Sequence, residues 1–302
     1  MQNTAHLLMI RPVHFGYNPE TAVNNAFQVK GEQSGVQEKA LREFDALVEL
    51  LSAHALDVTV VEDSPEPYTP DAIFPNNWIS FHDPHTLCLY PMYAPNRRQE
   101  RKAAVMKMIS EKFDVQYCID LTHYEIRHQF LEGTGSMVLD REARIAYASL
   151  SPRTDPEVME DFCKQMKYRP CLFHAYDDEG RAVYHTNVMM CVADRFVVIC
   201  LDSIRDAEEK KRVISTLDHT RKQIISISME QMNRFAGNML QLENVRGEKL
   251  LVMSTTAYQS LTKDQVEKLS TYNSILHSPL QTIEVNGGGS ARCMIAEVHL
   301  NN

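Results

Sequence analysis

Five stretches of this chain open on a small polar residue and continue as short apolar runs: Asn77 (NWISF, then TLCLYPM), Ser136 (SMVLD, then RIAYAS), Asn187 (NVMMCV, then RFVVIC), Asn238 (NMLQLEN, then KLLVMST) and Ser290 (SARCMIAEV). The openings are 59, 51, 51 and 52 residues apart. A near-constant period of this size marks one supersecondary unit used repeatedly, each copy needing its neighbours to bury its apolar faces. Helical spacing follows four openings, over residues 98–112, 156–166, 207–217 and 262–272. Ahead of the first unit, residues 6–10 read as a strand, 36–53 as a helix and 58–61 as a strand. The class is α/β, and five units predict a closed five-bladed arrangement with every opening at one end of the pseudo-symmetry axis. No Ser/Gly/Pro-rich linker divides the chain, so residues 1–302 are expected to form one domain.

Composition removes several functional classes. With 302 residues, 44% apolar and 24% charged, there is material for a large core without staples. A net charge of -9 with no basic stripe argues against nucleic acid as a partner. No apolar run approaches a membrane span. The opening MQNTAHLLMIRP has neither a basic start nor a small-residue cleavage site, which predicts a first strand in a cytoplasmic protein. Seven widely spaced cysteines without a CxxC pair indicate neither a disulfide framework nor a zinc site. The GGGS run at Gly287 lacks the lysine-bearing end of a phosphate loop, and GTGS at Gly133 fails the same pattern.

The repeat openings hold the unusual residues. The first carries Asp71 in PDAIFPNNW, the second Glu132 in LEGTGS, the third His185 in YHTN, and the fifth Cys293 after three glycines in NGGGSARC. A nucleophile, a base and two orienting acids thus fall at corresponding places. The glycines leave the backbone free to approach a ligand and predict an uncrowded, exposed thiol beside Arg292. Imidazole is the side chain that titrates near neutrality without a large environmental shift, which suits His185 to proton transfer. Each residue alone has a plainer reading: CMIAEV is apolar enough for a buried strand cysteine, the chain has twelve histidines, and most glutamates face water. Their joint placement favours the chemical reading.

LEGTGSMVLD (131–140), YHTNVMM (184–190) and GGGSARCM (287–294) resemble the signature segments of the guanidine-modifying, or amidinotransferase, superfamily, which includes arginine deiminases and dimethylarginine dimethylaminohydrolases. The likeness extends to IRPVHFGYNPETAVNNAFQ near the N-terminus and is nearest to bacterial arginine-deiminase-related citrulline-utilization hydrolases. It implies the five-bladed α/β propeller called a pentein, with Cys293 as covalent nucleophile, His185 as general acid then base, and Glu132 as its orienting carboxylate. It places Asp71 against the guanidino or ureido group and Arg153, with Arg97 or Arg98, against the substrate carboxylate. Many members have Asp two residues after the histidine, where this chain has Asn187. An amide contributes no charge, so Asn187 with Asp71 suits a neutral ureido group better than a cation.

The resulting expectation is a hydrolase that converts citrulline to ornithine, carbon dioxide and ammonia through a Cys293 intermediate, with no metal or cofactor. His185 is expected as an imidazolium that assists ionisation of the thiol. Dimethylarginine and arginine are the alternative substrates, and amidino transfer or non-catalytic amino-acid binding are the alternative classes. The expected partner is a small guanidino or ureido amino acid; a homo-oligomer is left open.

Overall fold

The chain begins with β1 (His6–Arg11), a helix over Val36–Ala53 and β2 (Asp57–Glu62), with β2 parallel to β1. The next unit has β3 (Ile79–His82) antiparallel to β4 (Thr86–Leu89), a helix over Ala103–Lys112, and β5 (Tyr117–Asp120) parallel to β4. The pattern recurs as β6 (Val138–Asp140), β7 (Ile145–Ser149), helix Pro156–Met166 and β8 (Arg169–Phe173), then as β9 (Met190–Val192), β10 (Phe196–Ile199), helix Ala207–His219 and β11 (Gln223–Ser226). A further copy has β12 (Leu240–Glu243), β13 (Lys249–Ser254), helix Lys263–Ser270 and β14 (Ser274–Ser278). Finally β15 (Ala296–Glu297) pairs antiparallel with β1, Leu7 opposite Glu297, so the fifth sheet is built from both ends of the sequence. This computed structural model describes residues 1–30, 34–82 and 84–300.

The result is five similar three-stranded sheets in a five-fold pseudo-symmetric α/β propeller. First strands of neighbouring blades touch, β15 against β3, β6 against β9 and β9 against β12, which rings them about a central axis. Being covered on both sides, β9 and β10 are buried at every residue and read as continuous apolar runs. The third strands (YCID, RPCLF, QIIS, SILHS) were not legible in the period. They are short edges with several exposed residues, and their ladder depends on the helix returning the chain beside the second strand.

The helices close the core from outside. Asp155 caps Pro156–Met166 by accepting from the Glu157 and Val158 N–H groups, Pro156 opens the first turn, and Val158, Met159, Phe162, Cys163 and Met166 are buried. At roughly 1.5–3 kcal/mol per fully buried side chain, this stripe outweighs the weak intrinsic stability of an eleven-residue helix. The helix expected from residue 98 instead starts at Ala103, after a separate turn over Pro95–Arg98. The break lets the chain bury Arg97 and Glu100 as one ion pair and Lys102 against Asp63 at 2.7 Å.

Candidate active site

Each opening presents its side chain through a tight turn. Glu132 precedes a one-turn helix, Gly133–Ser136, and its N–H is received by Ser136 Oγ at 2.8 Å. Gly133 has φ +47°, and a Cβ there would lie 2.4 Å from Asn76 O. A Cβ on Gly135 would lie 2.4 Å from Asn77 Nδ2 and 2.8 Å from His185 Nδ1. The GTGS glycines are therefore where three blades converge. His185 precedes the next one-turn helix, Thr186–Met189, tied to the previous blade by Thr186 Oγ1 donating to Ser136 O. Cys293 lies in the turn after helix Gln281–Gly287, its N–H bonded to Ser290 O at 2.9 Å.

Cys293, His185, Asp71, Arg97 and Arg153 line one narrow cavity with Thr21, Asn77 and Tyr184. Behind its wall, Glu132 Oε2 meets His185 Nε2 at 2.8 Å and Arg153 Nη1 at 3.3 Å, while Oε1 accepts from the Tyr93 N–H at 2.9 Å. Burial alone would raise the Glu132 carboxyl, but Arg153, His185 and Arg97 together hold it well below the usual carboxylate range. Burial drives His185 down to about 4, outweighing the bond from Glu132. Burial thus works against the expected imidazolium; in the neutral form the ring gives Nε2–H to the Glu132 carboxylate and keeps Nδ1 as its acceptor.

The Cys293 sulfur accepts N–H groups from Asn187 at 3.4 Å and Asn238 at 3.3 Å. Cys293 is 3% exposed, against the open thiol expected from the three glycines. Arg292 turns away from it, donating to Glu297 Oε2 at 2.9 Å and to Ile295 O. What covers the site is the 18–29 segment, which carried the resemblance near the N-terminus without any assigned role. Asn18 and Thr21 donate to Asp71 Oδ2 at 2.7 and 3.0 Å, and Asn24 Oδ1 and Thr21 O accept from Arg153 at 2.6–2.8 Å. Gln28 bonds Asn286 O across the opening.

Arg97 faces the cavity, but its Nε and Nη atoms are engaged by Glu100, Asn77 Oδ1 and Phe74 O. It staples the Asp71–Asn77 turn. Arg98 does not join the site: it donates to Met92 O and Tyr93 O and lies over the Phe130 ring. Asp71 Oδ1, on a residue that lines the cavity, and Asn187 Oδ1, on a residue bonded to the Cys293 sulfur, are buried acceptors that lack a partner among the described residues. A ligand in the cavity that offers N–H groups would satisfy the Asp71 oxygen. Burial pushes the Asp71 carboxyl up against the opposing pull of Arg97, Asn18 and Thr21. Asn77, buried between Arg97 and the His185 side of the cavity, was noted only as a repeat opening and missed as a site residue; its position there was the available signal.

Among the described residues no three His, Cys, Asp or Glu side chains converge as metal ligands, and no helix is long and apolar enough to cross a membrane.

The family model described as N,N dimethylarginine dimethylhydrolase, eukaryotic, matches residues 11–300. No curated protein matches the chain. Among solved structures, the N-terminal domain of ArgZ, an arginine dihydrolase of cyanobacteria captured with a covalently bound reaction intermediate, is similar at TM-score 0.77 and 19% identity over 98% of both chains. Apo ArgZ gives TM-score 0.76 and 19% identity over 98% of this chain but only 41% of its own length. A dimethylarginine dimethylaminohydrolase adduct with S-methyl-L-thiocitrulline gives TM-score 0.63 and 12% identity over 98% of this chain and 99% of its own. At such identities the likeness to these structures is one of fold.

Proposed function

Since this chain belongs to the N,N dimethylarginine dimethylhydrolase family, hydrolases of guanidino C–N bonds within the pentein superfamily, we propose that it is a cysteine-dependent hydrolase with citrulline as its preferred substrate. The observation that supports the reading is Asn187: its N–H is bonded to the Cys293 sulfur and its Oδ1 is buried without a partner, so the side chain beside the nucleophile is uncharged where a carboxylate would favour a cation.

In the proposed mechanism the planar ureido group lies over Cys293 with N–H groups on Asp71 Oδ1 and Asn187 Oδ1. His185 Nδ1 takes the thiol proton, and the sulfur attacks the central carbon. The resulting imidazolium is held by Glu132 and gives that proton to the departing amine, leaving a thiocarbamate on Cys293. Neutral again, His185 deprotonates a water that attacks the thiocarbamate carbon, and the sulfur leaves and is reprotonated. The products are ornithine and carbamate, which decays to ammonia and carbon dioxide. Arg153 takes the substrate carboxylate once Asn24 and Thr21 release it. The steps call on no metal or organic cofactor.

A second reading, a cationic guanidino substrate, is favoured by the Asp71 carboxylate that lines the cavity with Cys293 and by the likeness to ArgZ, an arginine dihydrolase. Purified protein incubated separately with citrulline, arginine and dimethylarginine decides between them, with Cys293→Ser as control. Ornithine from citrulline, lost in the variant, supports the first reading; citrulline from arginine or dimethylarginine, with none consumed, overturns it.

A further inference from the structure

We propose that Asn238, from the fourth blade, belongs to the catalytic apparatus as the group that holds the Cys293 sulfur in place for attack. The proposal rests on Cys293 being the nucleophile and goes beyond it by adding a residue from a blade that supplies none of the other reacting side chains.

The amide of Asn238 has little freedom. Its Oδ1 accepts from the Arg292 N–H at 3.1 Å, and its Nδ2 donates to Asn187 O at 3.0 Å. With the oxygen committed to one backbone group and one N–H to another, the second N–H is directed at Sγ, 3.3 Å away. The residue is fully buried, so no water competes for these positions. The two backbone partners belong to the residue before the nucleophile and to the other sulfur-bonded asparagine. One side chain therefore sets the spacing between the third and fifth blades at the reacting atom.

The local sequence is shaped for this placement. Phe235 sits at φ +62°, and a Cβ on Gly237 would lie 2.3 Å from Val188 O and 2.7 Å from Met189 C. Only a residue without a side chain lets the fourth opening press against helix Thr186–Met189, which brings Asn238 up to Asn187. Asn238 does not line the substrate cavity, and unlike that of Asn187 its Oδ1 is already occupied. Its remaining N–H is given to the sulfur, where an N–H to an anionic acceptor is stronger than one to a neutral acceptor.

The test measures alkylation of Cys293 by iodoacetamide at pH 7, followed on its own peptide by mass spectrometry, together with kcat, KM and melting temperature. Asn238→Ala should slow alkylation and kcat by about tenfold to a hundredfold, with KM within about twofold. Asn238→Asp, which sets an acceptor against the sulfur, should be slower still. Asn238→Ser, which keeps a short donor, should recover part of the rate and replaces the alanine variant if that does not fold. A folded alanine or serine variant whose Cys293 alkylates at the wild-type rate overturns the proposal, whether or not kcat falls. Full turnover by Cys293→Ser would instead remove the nucleophile reading beneath it.

Discussion

Glu132 and His185 meet at 2.8 Å, Oε2 to Nε2, both buried and from different blades. The carboxylate is held well below its ordinary range, and the imidazole falls to about 4. The shifts favour a carboxylate and a neutral ring over the ion pair that the geometry would equally fit. Burial decides this: a ring withdrawn from water beside Arg153 and Arg97 loses more by charging than one carboxylate returns.

The pH profile of the free protein should follow. An ordinary imidazole would bring kcat/KM down below pH 6.5, whereas protonation of His185 begins to remove the base only near pH 4. Rates with citrulline from pH 4 to 8 should show no unit-slope descent between 6.5 and 5. Glu132→Gln, which keeps the shape but removes the charge that holds the imidazolium, should lower kcat by about 10²–10⁴-fold.

Fold stability should carry a histidine signature outside the site. His299, bonded to Glu297 at 3.2 Å, is driven by burial, then by Arg141, to about 4 from an ordinary 6.5. Between those values the unfolded chain binds the proton and the folded one does not. This contribution is complete above pH 6.5 and is lost as pH falls toward 4, by on the order of 3 kcal/mol. Urea midpoints of wild type and His299→Gln should converge over that interval; a constant gap would contradict the assignment.

Neighbouring glycines should fail differently. Gly133→Ala places a side chain at φ +47° against the rigid Asn76 carbonyl and should cost about 1–3 kcal/mol of stability. Gly135→Ala presses on the Asn77 amide and the His185 ring, so its larger effect should be on kcat. Thermal melts and turnover on both variants separate the two.

Charge at residue 187 should tune the substrate. Asn187→Asp faces the bound group with a second carboxylate and removes a donor to Sγ, so overall turnover should drop. The ratio of kcat/KM for arginine to that for citrulline should nevertheless rise, by about tenfold or more. An unchanged ratio would show that this position does not read substrate charge.

Much of this site lay open to sequence reading because its residues share a place in a repeat. Glu132, His185 and Cys293 sit at turns of three units, and closing the ring brings equivalent turns together. Arg98 shows where that reasoning ends: adjacent arginines in one helical turn diverge, Arg97 inward to Glu100 and Arg98 outward to Met92 O. Which one faces the cavity is set by rotation of a four-residue turn, and composition carries no trace of it.

The amino-acid order by itself determined the period, the blade count and the turns that hold the candidate site residues, since apolar alternation and glycine placement act over a few residues. Tertiary structure alone decided the cover over the site, the burial that works against charging His185 and the placement of Asn238 against the Cys293 sulfur. Each depends on contacts between segments far apart in the chain, such as Arg153 with Asn24 and Asn238 with Cys293. Such contacts, and the burial that sets the charge states, exist only after β15 joins β1 and the ring excludes water.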